Sequence, residues 1–175
     1  MSRYSWLALA AALSMPSGIA TAQAPAKPSD PQIAHIAYTA GVIDIKAAEL
    51  ATKRSKNKEV QAFARDMLRD HKAVNDQALA LVKKLNVTPE DNDTSRALVK
   101  QADAKAKELA QLKDGDFDKA YAQNEVAYHR TVNGALQGTL IPAASNGELR
   151  SLLETGLKIF EGHQQHAEHL AESLK

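Results

Sequence analysis

Between Val60 and Leu85 the apolar side chains Val60, Phe63, Met67, Val74, Ala78, Leu81 and Leu85 recur in steps of three, four and seven. A strand would bring every second residue to one face, so this series admits only a helix. At about seven turns, with one narrow apolar seam, that helix belongs in a bundle. Three more segments carry looser versions of the pattern. Ile33, Ala37, Ala40, Ala47 and Ala51 mark a helix from about Pro31 to Arg54, entered through Ser29, Asp30 and Pro31. Phe117, Tyr121, Tyr128, Val132, Ala135 and Leu140 mark another that stops near Pro142, and Leu149, Leu153, Gly156, Phe160, Ala167, Leu170 and Leu174 mark the last. Ser55-Lys56-Asn57 and the stretch before Asn146-Gly147 are short joints. Asn86 to Asp93 is a loop, and Lys113 to Asp116 is a stop followed by a new cap. Thr94 to Leu112, with only the weak stripe Leu98, Ala102 and Leu109, is expected to cover the bundle as a crossover. No strand pattern appears. The expectation is an all-α four-helix bundle made of two hairpins, with an additional short crossover helix.

The N-terminus reads as an address. Arg3, the apolar run Trp6 to Leu13, then Pro16, Gly18 and the small-x-small triplet Ala20-Thr21-Ala22 have the order of a secretory signal peptide. The run is shorter than the roughly 20 residues a spanning helix needs. Residues 1–22 are therefore expected to be removed on export to the periplasm, with residues 23–29, containing Pro25 and Pro28, as a flexible leader and residues 30–175 as the bundle domain. No transmembrane segment is expected after the signal is removed. Lys+Arg number 22 against Asp+Glu 21, and aromatics are only 5% of the chain, which argues against nucleic acid as a partner. With no cysteine there is no disulfide, thiolate metal site or covalent haem. Any metal would need histidine and carboxylate ligands.

Such residues stand where a core needs apolar ones. Asp44 lies between Ala40 and Ala47, His71 between Met67 and Val74, and His163 between Phe160 and Ala167; Glu125 and His129 share one helical face at i and i+4. Counted from the Lys56 joint, Asp44 is about 12 residues back and His71 about 15 forward, which at ~1.5 Å per residue sets them within about 5 Å of one level. Counted from the joint near Ala144, Glu125 and His163 are each about 19 residues away and His129 about 15. Two packed hairpins would gather all five into one buried layer. Buried charge must be paired, hydrogen-bonded or ligated. The layer is thus either a divalent-metal site, with iron, zinc, manganese or copper all compatible, or an Asp–His network that only fixes packing. A haem between His71 and His163 is a further alternative, with Asp44 and Glu125 as odd company.

Other motifs limit the chemistry. No histidine follows a glutamate at the Glu-x-x-His spacing of di-iron bundles, and there is no His-Glu-x-x-His. Ser55-Lys56-Asn57-Lys58 matches Ser-x-x-Lys at a polar joint without its companion motifs. Gly134 and Gly138 suit a bend before Pro142. His166 and His169 drift off the apolar stripe onto a solvated face, with metal collection as the alternative, and His35 shows no partner. Thr94 to Leu112 could also recognise a protein partner.

Three motifs together carry a family resemblance: Val60-Gln61-Ala62-Phe63-Ala64-Arg65-Asp66-Met67 followed by Asp70-His71, Phe117-Asp118-Lys119-Ala120-Tyr121 followed by His129, and Leu157 to His163. In these the chain resembles the exported bacterial helical proteins grouped as domain of unknown function 4142. The resemblance implies a ferritin-like bundle and an exported location, and no reaction. The family's recurrent acid on the first helix falls on Asp44, where Glu is usual, and its Asp-His pair on the third falls on Tyr128-His129. The expected function is metal binding through Asp44, His71, Glu125, His129 and His163; the alternative is a non-catalytic envelope or stress-related interaction protein with a structural polar layer.

Overall fold

The structure, a computed structural model, describes residues 27–175. The expected signal at residues 1–22 and most of the leader, residues 23–26, lie outside the described residues. The elements are α1 (Asp30–Arg54), α2 (Lys58–Lys84), α3 (Asp93–Gln111), α4 (Asp114–Ala135), a π-helical turn (Leu136–Leu140), α5 (Ile141–Ala143) and α6 (Gly147–Ser173), with no strand among the described residues.

Local chemistry sets these boundaries. Ser29 and Gln32 form a reciprocal capping box at α1. Asn57, Asn92 and Asn146 each accept backbone N–H groups at the starts of α2, α3 and α6. The α2 helix ends with Asn86 at φ 50°, and the Val87 N–H reaches the Val82 carbonyl at 2.9 Å, closing its last turn. At Pro142 the missing N–H and the ring preclude an ordinary helical bond to residue 138. The chain widens into the π turn just ahead of it, where the Ile141 N–H bonds to the Leu136 carbonyl. The π turn falls in the stretch from Gly134 to Pro142 where a bend was expected. The start of α4 differs from expectation: the helix begins at Asp114, and its first turn is closed by the Lys113 carbonyl, which accepts from Asp116 and Phe117, with no aspartate side chain capping it.

The fold is a ferritin-like four-helix bundle. α1 pairs with α2 and α4 with α6; α2 also lies against α6, and α3 lies against α1 and α4. The two ends of α3 are tied to α1. His35 Nδ1 is 2.8 Å from Ser95 Oγ, and Arg54 bonds to the Leu109 carbonyl at 3.0 Å and to the Leu112 carbonyl. The crossover therefore runs parallel to α1 along the outside of the bundle. On α1 the buried residues include Ala34, Ile36 and Ala48, whereas Ala37 and Ala47 from the expected stripe are only partly buried. The Asp30 carboxylate joins the two hairpins by accepting the Ser145 and Asn146 N–H groups, both at 2.8 Å.

The core is in two parts. One gathers Ala51, Phe63, Met67, Phe117, Tyr121 and Ala167; the other gathers Ile33, Leu136, Leu140, Leu149, Leu153 and Phe160. On every long helix of the bundle the chain passes from one part to the other through an ionisable residue.

Candidate metal centre

Asp44 comes one helical turn before Ala48 on α1, His71 one turn after Met67 on α2, and His163 one turn before Ala167 on α6, so each continues a fully buried stripe. Glu125 and His129 occupy successive turns of α4 after Tyr121. All five expected residues are buried in one layer, with Asp44, Glu125 and His129 each only 1% exposed.

The layer contains two overlapping groups. His71, His129 and His163 bring one ligand-capable atom apiece to within 4.8 Å of one another, and so do Asp44, Glu125 and His129. The imidazole centres stand 5.6 Å apart for His71–His129, 5.3 Å for His71–His163 and 5.5 Å for His129–His163. Three rings this close leave no room for a porphyrin between His71 and His163, which removes the haem alternative. Asp44 Oδ2 is 3.6 Å from His71 Nε2 and 3.5 Å from His129 Nε2, too far for good hydrogen bonds. As a result both His71 nitrogens, His129 Nε2 and His163 Nδ1 are buried with no hydrogen-bond partner, while the Asp44 and Glu125 carboxyls share a hydrogen bond with each other.

Outer contacts decide which nitrogens are free. His129 Nδ1 lies 3.0 Å from the Glu125 backbone carbonyl, which can only accept, so Nδ1 holds the proton and Nε2 keeps its lone pair. His163 Nε2 lies 3.0 Å from Asp70 Oδ2. Arg69 grips that carboxylate at 2.7 and 3.0 Å and holds it below the usual range, so Asp70 accepts and His163 Nδ1 keeps its lone pair. A carboxylate behind an imidazole is the common device for orienting a metal-binding histidine. His71 stacks on Phe160 at 4.5 Å and 6°, which fixes its ring plane while leaving both nitrogens unused.

Burial sets the charge state. It pushes the Asp44 carboxyl up to about 7 and the Glu125 carboxyl well above its ordinary value, the latter helped by the Asp44 charge. It pushes His71 down to about 2, with the neighbouring imidazoles adding to the effect, and His129 down to about 4. His163 also falls through burial, opposed by Asp70. At neutral pH the layer therefore offers neutral imidazoles, the form that ligates metal, beside carboxyls whose burial disfavours the charged form in the absence of a cation.

Sequence reasoning placed Asp70 only in the family motif and Phe160 only in the apolar stripe, and had no role for Arg69. Asp70 precedes His71 in the chain, but only the seating of α6 beside α2 shows that it faces His163. Tyr128 donates to the Ala40 carbonyl at 2.8 Å, linking α4 to α1 beside the acids. His166 and His169 are exposed and join neither ligand group, although the His166 ring meets Phe63 edge-on at 5.0 Å. His35, expected to lack a partner, has one in Ser95.

Comparison with known proteins agrees with this geometry at the level of fold. The family model described as Domain of unknown function (DUF4142) matches residues 16–170. A crystal structure of a DUF305 protein from Streptomyces coelicolor, described as secreted, superposes with TM-score 0.70 at 14% identity, covering 82% of this chain and 91% of that one. CopM in the Cu(II)-bound form superposes with TM-score 0.62 at 14% identity, covering 83% of this chain and 98% of that one. No curated protein matches.

Proposed function

The chain belongs to the DUF4142 family, and on that premise we propose that it is an exported protein that holds one divalent metal ion in its histidine–carboxylate layer. The observation that carries this reading is the convergence of unpartnered nitrogens, His71 Nε2, His129 Nε2 and His163 Nδ1, beside the Asp44–Glu125 carboxyl pair, all sealed from water. Leaving that many polar atoms unpaired costs about 1–3 kcal/mol each, a cost that a shared cation removes. His129 has one free nitrogen, so this reading places one ion among His71, His129, His163 and Asp44, with Glu125, whose Oε2 lies 3.8 Å from His129 Nδ1 on the other edge of the ring, as an outer fifth candidate.

Imidazole with carboxylate suits zinc, iron, manganese or copper. The likeness to a Cu(II)-bound structure puts copper first in testing. A bound ion would supply a compact positive charge that draws the protons off Asp44 and Glu125. Binding or redox buffering fits this enclosed layer better than turnover of a substrate. Export is supported by the signal-like segment at residues 1–22 and by the likeness to a structure described as secreted. The structural-network reading is less well supported, since Asp44 stands at 3.5 and 3.6 Å from its histidines rather than at bonding distance.

The test is elemental analysis of untagged protein purified from periplasm, beside a His71→Ala, His163→Ala double variant. Near-stoichiometric metal in the wild type and its loss in the variant is the expected result. Protein that carries no metal, and takes up none when given zinc, iron, manganese or copper, would overturn it in favour of a structural layer.

A further inference from the structure

The crossover helix lies over the bundle without packing into it. Ser95 and Leu109 are the only buried residues of α3, and the stretch between them spans a cavity of about 570 Å³ enclosed with α1 and α4. The small side chains of Ala102 and Ala106 roof this space, and Thr39, Asn124, Tyr128 and Thr131 bring polar groups to it from the other two helices. Asp44 and Glu125 belong to the same lining, so the cavity adjoins the acid half of the buried layer. Its volume is many times the ~30 Å³ that one water occupies in the liquid, which lets a cation enter with part of its hydration shell. Asn124 donates to Glu125 Oε1 at 3.3 Å, a long bond that an arriving cation can replace.

We propose that this cavity is the path by which a divalent cation reaches the layer, with the Asp44–Glu125 pair as its receiving end and the three imidazoles as the seat beyond. The inference rests on the metal reading and gives the second ligand group a task. The two groups share His129, so an ion held first by the carboxyls has its next ligand at hand: Asp44 Oδ2 stands 3.5 Å from His129 Nε2. The charges of the lining favour passage inwards. Lys46 and Asp103 are exposed and Lys105 is paired with Glu108 at 2.6 Å, whereas the charge available in the buried part is carboxylate. Exposed charges are screened over about 8–10 Å at physiological salt, and buried ones much less. Two other approaches are closed by what stands in them. Past Asp70, the Arg69 guanidinium presents a positive charge, bonded to Asp70 at 2.7 and 3.0 Å and to Asp66 at 2.7 Å. From the Leu153 side of the core, the Phe160 ring covers His71, stacked on it at 4.5 Å.

The experiment is stopped-flow uptake of Zn²⁺, with Cu²⁺ in a parallel series, by the full mature protein stripped of metal, followed by release to an excess of chelator. Ala102→Phe on α3 and, separately, Val42→Phe on α1 narrow the cavity and replace no ligand. An obstacle on a path raises the barrier in both directions and leaves the two end states alone. Each variant should therefore slow uptake at least tenfold and release by the same factor, so that the dissociation constant stays within about twofold. Circular dichroism should show the helices intact, and two variants guard against one of them repacking the bundle. Unchanged or faster rates in both folded variants would overturn the path, and quicker uptake by Arg69→Gln in that case would move the entrance to Asp70. Equilibrium uptake by the same samples reports on the metal reading itself. A wild type that takes up no ion overturns both, whereas stoichiometric uptake at unaltered rates in the variants overturns the path alone.

Discussion

Asp70 shows how much a single residue outside the ligand set can decide. Its carboxylate, clamped by Arg69, puts the His163 proton on Nε2 and so leaves Nδ1 for a cation. Asp70→Asn removes the charge while keeping the shape. It should weaken metal affinity about 10- to 100-fold with little change in the helical spectrum, as read by competition against a chelator of known strength. Unchanged affinity would mean that Asp70 has only a surface role. Protons act at the same scale. Asp44 is raised to about 7, so below that pH a cation must displace its proton. Affinity should therefore climb between pH 6 and pH 8, and an unbuffered titration at pH 6 should release about one proton or more per ion bound. The histidines act on stability in the opposite sense to the acids. Since His71 is pushed down to about 2, the unfolded chain binds a proton below its ordinary value that the folded chain refuses. The His71 contribution should accordingly fall as pH drops below about 6.5, by up to ~1.4 kcal/mol per pH unit, while the raised Asp44 and Glu125 carboxyls offset it over the same range. Urea melts of the wild type and His71→Leu at pH 7 and pH 5 isolate it: the variant should gain stability relative to the wild type on going to pH 5.

At the scale of the element, α1 and α2 approach closely where Gly41 meets Asn75. A β-carbon at Gly41 would come within 2.3 Å of Asn75 Oδ1 and 2.8 Å of its Cγ, and Asn75 is itself buried. Gly41→Ala should destabilise the protein by about 1–3 kcal/mol through overpacking, more than its gain in helix propensity offsets. In a double-mutant cycle, Asn75→Ala should recover a good part of that loss; additive losses would show that the two residues do not meet. The helix termini were largely legible because capping is local chemistry: Ser29, Asn57 and Asn146 stand in the loops that the patterning marks, and each caps the helix expected there. The beginning of α4 was misplaced because a backbone carbonyl closes that turn, and a carbonyl leaves no trace in the residue types.

For the whole molecule, the polar layer divides one core into two, and an ion placed there would tie four helices together at mid-height. Metal at about 100 times its dissociation constant should add about 2.7 kcal/mol of stability. For a chain of this size that is a rise in melting temperature of roughly 5–10 °C, measurable by calorimetry with and without chelator. A structural layer without metal would show no shift. Among the described residues no helix is long and apolar enough to cross a membrane.

Periodicity and joint lengths determined that the chain is helical, which segments pair as hairpins, and that Asp44, His71, Glu125, His129 and His163 share one level, because along a helix depth is simply residue count multiplied by a constant rise. What residue count does not contain is the rotation of each helix about its own axis and the choice of its neighbours. Those depend on the packing of all the helices at once, and they decided that His129 joins the imidazole group to the acids and that Asp70 stands behind His163.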